Sequence, residues 1–139
     1  MSQSKLLSIG FVLLVLIAAG AILHPLMQTE QIYRWEKECV KLMYDIHRAL
    51  LKYSSDNDGK LPPLLSHLYP QYIDDRRVQE QVLFFSEQQA AMIYWYPEKL
   101  GNPEAPVVQI IFKPGSEVSY ARKDFVLWGD GTVGLRRKK

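Results

Sequence analysis

Trp35–Tyr53 reads WEKECVKLMYDIHRALLKY, and its apolar residues recur at helical steps. Trp35, Cys39, Leu42, Ile46, Ala49 and Tyr53 follow one another at intervals of four and three, which sets them on one stripe of an α-helix. Lys37, Lys41, Asp45, Arg48 and Lys52 fall largely on the other side, and Lys41 and Asp45 have the spacing of an i,i+4 ion pair. A helix of this pattern gains most of its stability by laying the apolar stripe on a domain. Cys39 sits in that stripe and reads as a small core residue rather than a reactive thiol.

Towards the N-terminus the helical signal reaches back to about Met27; His24-Pro25 before it ends a hydrophobic run or starts a new helical turn, since a proline is tolerated in a first turn or as a kink. Leu6–Leu23, LLSIGFVLLVLIAAGAIL, is eighteen residues without a charge. As a helix it is about 27 Å long, close to the hydrocarbon thickness of a bilayer. A core helix of a soluble domain normally keeps a polar side over five turns, so this stretch is expected to insert in a membrane. Three processing routes are open. Ala19-Gly20-Ala21 offers small residues for signal peptidase, the segment can stay as an uncleaved anchor, and Gly10-Phe11 matches a prepilin-type junction. Lys5 lies upstream of the span and Arg34, Lys37 and Lys41 downstream; taken literally, the positive-inside rule then puts the C-terminal part in the cytoplasm. The chain divides into a leader and membrane helix, residues 1–25, and one globular domain, residues 26–139.

Towards the C-terminus the helix stops at Ser54-Ser55-Asp56-Asn57-Asp58-Gly59, whose short polar side chains favour local turns and whose glycine tolerates positive φ. Leu61-Pro62-Pro63 forces an extended path. Leu64–Tyr72 reads as a short helical turn, followed by the charged stretch Asp74-Asp75-Arg76-Arg77. From Ala91 on, strands are expected at Met92–Tyr96, Val107–Phe112, Phe125–Trp128 and Thr132–Leu135, the last two forming a hairpin across Gly129-Asp130-Gly131. A long helix first and antiparallel strands last is an α+β fold: a membrane helix continuing into an amphipathic helix packed on a small C-terminal antiparallel sheet.

Chemical motifs are sparse. A net charge of +2 does not suit nucleic acid, and the basic run Arg136-Arg137-Lys138-Lys139 reads as a solvated tail. A single cysteine excludes an intrachain disulfide and paired-cysteine zinc sites. Ser54-x-Asp56-x-Asp58-Gly59 overlaps the start of an EF-hand loop, but the twelfth position is Leu65 instead of a bidentate Glu. His24, His47 and His67 have no ligand spacing. There is no Gly-x-Ser-x-Gly elbow and no glycine-rich phosphate loop, so no catalytic, cofactor or metal residue is assigned and the chain is not expected to be an enzyme. Tyr94-Trp95-Tyr96 with Trp128 could form a sugar or peptide platform; alternating burial along a strand is the simpler account.

The order of these parts carries a resemblance. Cys39, a helix ending in Tyr53, the Asp/Asn-rich turn to Gly59 and Pro62-Pro63 resemble bacterial pseudopilin-like proteins: type II secretion major pseudopilins and the prepilin-type H-X9-DG processing-associated family. Phe125–Val133, closing in Gly129-Asp130-Gly131-Thr132-Val133, is similar to that family's terminal Asp-Gly-His-Val strand, with Thr132 where His is usual. The family's Glu at the fifth position after the junction is Val15 here, and a second Cys-Pro is absent. The resemblance implies a single-pass protein of the bacterial inner membrane with its domain in the periplasm. Its partners would be the lipid bilayer and other pseudopilins or secretion components, with no nucleic acid and no small-molecule substrate. It implies no cofactor beyond calcium in a C-terminal loop, for which Asp124 and Asp130 are the candidate ligands. The alternative is a stand-alone membrane-anchored binding module using the sheet or the Pro97–Pro106 loop.

Overall fold

The computed structural model describes the backbone of residues 2–85, 88–112 and 123–137; within these ranges the side chains of 28, 29, 32, 84, 85, 88, 89, 112, 123 and 135–137 lie outside the description. The basic run at 136–139 therefore falls outside the described side chains. The chain forms two compact units, Met1–Trp35 and Glu36–Lys139.

Helix α1 runs over Gln3–Asp56, 54 residues with Pro25 inside it. His24-Pro25 is thus not a break. Pro25 offers no N–H to the carbonyl four residues back, and a long helix absorbs one such missing bond where the flanking turns are regular. In the Glu36–Lys139 unit, α1 contributes Cys39, Leu42, Met43, Ile46, Ala49 and Leu50 to the core, each at most 3 % exposed. The expected stripe is therefore present and wider, since Met43 and Leu50 join it; Trp35 and Tyr53, at its ends, are half-buried. Asp45 pairs with Arg48 one turn on, rather than with Lys41.

The helix ends as a capped turn. Asn57 Nδ2 donates to the Tyr53 carbonyl at 2.8 Å, and the Gly59 N–H returns to the Ser54 carbonyl at 2.8 Å. Asp58 and Gly59 take φ of +54° and +80°, the left-handed geometry that terminates helices. A single 3-10 turn, Leu65–Leu68, buries both leucines fully. The charged stretch after it contains a short helix, α2 (Arg76–Glu80), with Asp75 as N-cap: its Oδ1 accepts from the Arg77 N–H at 3.0 Å.

The sheet has five strands in sequence order, every neighbouring pair antiparallel. They are β1 (Val82–Phe85), β2 (Gln88–Tyr94), β3 (Pro106–Phe112), β4 (Lys123–Trp128) and β5 (Val133–Arg137). Strand β1 was not expected; four apolar residues without alternation do not distinguish a strand from a buried turn of helix. Strand β2 begins earlier than Met92 and stops at Tyr94, and Tyr96 follows with φ +45°, which no strand accommodates. In β3 the register to β4 shifts between Pro106 and Val108, and both Val107 and Val108 are fully buried. Gln109 and Ile110 are buried too, so burial on β3 does not alternate and both of its faces are covered. On β2 the burial alternates, with Ala90 and Met92 inside and Ala91 and Ile93 outside.

Candidate functional site

Most of the exposed large hydrophobic side chains among the described residues lie on the N-terminal helix. Gln3–Met27 is 25 residues long and strongly apolar, and none of its most apolar stretch is buried. Leu7, Phe11 and Ile17 are each at least 70 % exposed. Leaving this many large aliphatic side chains in water would cost on the order of 1.5–3 kcal/mol apiece relative to burial. This helix is long and apolar enough to cross a membrane. Of the residues weighed for processing, Gly10 and Gly20 both lie within unbroken helix, with no neighbouring atoms where a side chain would begin.

Cys39 is buried, and desolvation, reinforced by Glu38, pushes its thiol up to about 12. A thiol held neutral at physiological pH is a poor nucleophile, in keeping with a packing role. Nearby, Arg77 reaches Asp75 with two nitrogens, Nε at 3.0 Å and Nη2 at 2.7 Å, and Nη1 lies 3.5 Å from Glu38 Oε2. Hydrogen bonding from Arg77 holds the Asp75 carboxyl below the usual carboxylate range.

The hairpin turn between β4 and β5 brings a candidate histidine to the candidate aspartate. Asp130 Oδ1 accepts from the Thr132 N–H at 2.9 Å and from Thr132 Oγ1 at 2.7 Å, closing a local turn. These bonds hold the Asp130 carboxyl below its ordinary value. Gly131, at φ +89°, lies under the His47 ring: a Cβ placed there would stand 2.5 Å from Cε1 and 2.8 Å from Nε2. Asp124, the other proposed calcium ligand, lies within β4, buried, with Oδ2 accepting from Gln109 Nε2 at 3.0 Å. Each of the two carboxylates is engaged by protein donors. Of the EF-like residues, Asp56 closes α1 and Asp58 takes the left-handed cap position. His24 lies in the apolar helix and His67 on the exposed side of the 3-10 turn. Among the described residues no three His, Cys, Asp or Glu side chains converge as a metal site.

Burial pushes His47 below the ordinary histidine value of 6.5, against an opposing pull from Asp130. The folded state therefore takes up its proton later than the unfolded chain does. Stability is complete above the unfolded value and falls as pH drops through it towards the lower folded value. A melting series from about pH 7.5 to about pH 5 should show the midpoint falling on the acid side, and His47→Asn should flatten that slope. An unchanged slope in the variant would contradict this assignment.

The aromatic run divides in two. Tyr94 is half-buried and donates its hydroxyl to the Pro62 carbonyl at 2.9 Å, and burial pushes its phenol up. Its ring meets Tyr96 edge-on at 5.9 Å, while Trp95 and Tyr96 remain about half exposed. Trp128 is half-buried, with Nε1 3.1 Å from where a Cβ at Gly134 would stand. The simple alternation expected for Tyr94–Tyr96 fails at Tyr96, because the strand has already ended.

One feature was not anticipated. Lys41, Arg48 and Lys52 on α1 face Tyr72, Asp74 and Asp75 across an open groove of about 500 Å³. Their intervals of seven and four place the three cations on one line of the helix, which was legible; the facing loop was not. The groove presents both signs of charge; within it Asp45 pairs with Arg48, while Asp75 pairs with Arg77 beside it.

The chain matches no family model, no curated protein and no solved structure.

Proposed function

We propose that the chain is a pseudopilin-like structural subunit of a type II secretion or type IV pilus-like system, held in a bacterial inner membrane by one helix with its C-terminal domain in the periplasm. The observation that carries this reading is the continuous α1: its first half, Gln3–Met27, is predominantly apolar with none of its apolar span buried, and its second half contributes Cys39, Leu42, Met43, Ile46, Ala49 and Leu50 to a core. A helix so divided suits a subunit that shares its apolar half with lipid before assembly and with equivalent helices after it. Its lower stripe would pack on the sheet, and the capped turn before Pro62-Pro63 and the Asp130-Gly131 hairpin agree with the resemblance in the sequence. Function here is mechanical: the apolar helix supplies retention and assembly, and the domain supplies a stable head. Calcium at Asp124 and Asp130 is not needed by it.

The test is cross-linking from single cysteines at Leu13, Leu14, Val15 and Leu16, which together present every face of the helix. Cys39 can stay, because its buried, neutral thiol reacts slowly. Disulfide-linked oligomers should form from at least one position in membranes containing the secretion machinery. Strict monomers at all four would sink the assembly reading.

A second reading, a stand-alone membrane-anchored binding module, is favoured by Trp95 and Tyr96, which are 51 % and 54 % exposed beside one another. Loss of Trp95 and Tyr96 together should leave assembly unchanged under the first reading and abolish partner capture under the second.

A further inference from the structure

The apolar helix does not end in bare charge. The charge-free run is bounded by Lys5 and Glu30, so it spans residues 6–29, about 36 Å of helix. A hydrocarbon core of about 30 Å centred on that run ends near Met27. The next turns of α1, still within the Met1–Trp35 unit, carry Glu30, Tyr33, Arg34 and Trp35. Glu30 and Arg34 form an i,i+4 pair at 3.9 Å, both about three-quarters exposed, and Tyr33 is 58 % exposed.

We propose that Glu30–Trp35 is an interfacial segment, in which Tyr33 and Trp35 occupy the phospholipid headgroup layer and fix how deeply the helix sits. The reasoning is geometric. Tyr33 and Trp35 lie about 9 and 12 Å beyond Met27 along the axis. Helical side chains lean towards the N-terminus, here towards the bilayer, so long aromatic rings reach back by roughly one turn, about 5 Å. That places the rings about 4–7 Å outside the hydrocarbon, within a headgroup layer about 5–7 Å thick on each side. Tyrosine and tryptophan prefer this layer because each joins an apolar ring to a polar hydrogen-bonding edge. Arg34 has guanidinium donors for lipid phosphate, and Glu30 balances its charge, so the segment is neutral as a whole. Depth is therefore set by the aromatic rings and not by anionic lipid.

This inference rests on the membrane reading, and one experiment separates the two. The full chain is reconstituted into vesicles of zwitterionic phosphatidylcholine, with or without anionic phosphatidylglycerol, and floated on a density gradient. Emission from Trp35 is isolated in Trp95→Phe/Trp128→Phe and, independently, as the difference between wild type and Trp35→Phe, so that a folding defect in the double variant does not decide the outcome. Lipids brominated high on the acyl chain should remove about half of the Trp35 emission, and lipids brominated near the chain end much less. The loss should be the same with and without anionic lipid. Flotation with Trp35 unquenched by either lipid would overturn the interfacial assignment and leave the membrane helix standing. Flotation with deeper quenching dominant would also overturn it, by placing Trp35 in the hydrocarbon. Failure to float would overturn the membrane reading itself.

Discussion

Gly131→Ala is expected to lower the stability of the Glu36–Lys139 unit by about 2–4 kcal/mol, measured by urea unfolding of the full chain in detergent micelles. Two separate costs combine. The backbone at Gly131 has φ +89°, where a side chain is strained whatever space surrounds it, at about 1–3 kcal/mol. The new methyl would also meet the His47 ring at 2.5–2.9 Å, closer than a Cβ approaches a non-bonded atom, so the ring or the hairpin must move. The costs can be told apart. His47→Ala removes the obstacle, so the double variant His47→Ala/Gly131→Ala should be less destabilised than the two single losses added together, with the backbone cost remaining. A Gly131→Ala protein within about 0.5 kcal/mol of wild type would show that the hairpin does not rest against the helix in this way.

Leu50→Ala should cost about 2–5 kcal/mol, whereas Leu51→Ala, one residue along, should cost less than about 0.5 kcal/mol. Leu50 is fully buried and Leu51 is 49 % exposed. Deleting the Leu50 side chain loses its transfer free energy and leaves a cavity bounded by neighbours that relax only in part. At Leu51 the truncated side chain already faces solvent, and alanine's higher helix propensity offsets part of what is lost. Unfolding midpoints of the two variants under identical conditions check the contrast. Equal losses would mean that the helix is rotated relative to its core from the face described here.

Much of this face was legible beforehand. Cys39, Leu42, Ile46 and Ala49 are buried as their intervals require. Met43 and Leu50 were missed because a strict four-three stripe is narrower than the apolar face of a helix buried in a globular core. The turn at Ser54–Gly59 behaved as its side chains demand, since Asn57 and Gly59 close the helix by short-range hydrogen bonds. Strand β1 and helix α2 were illegible for a different reason: four or five residues carry too little period, and they are held by pairing with β2, capping by Asp75 and the burial of Leu83 and Val78. The Asp45 partner was a matter of competition, since Lys41 and Arg48 lie within reach from opposite sides.

The sequence by itself determined the class and the order of parts. An uncharged eighteen-residue run, a four-three stripe and alternating or β-branched segments each report a local period, and local periods follow from backbone geometry alone. It also determined that Asp130-Gly131 makes a turn, because only glycine is at ease at that φ. Tertiary structure alone decided that His47 covers Gly131, that Gln109 meets Asp124 inside the sheet, and that Tyr94 is tied to Pro62 while Tyr96 faces water. These partners are separated by 15 to 84 positions in the chain, and no periodicity links residues so far apart.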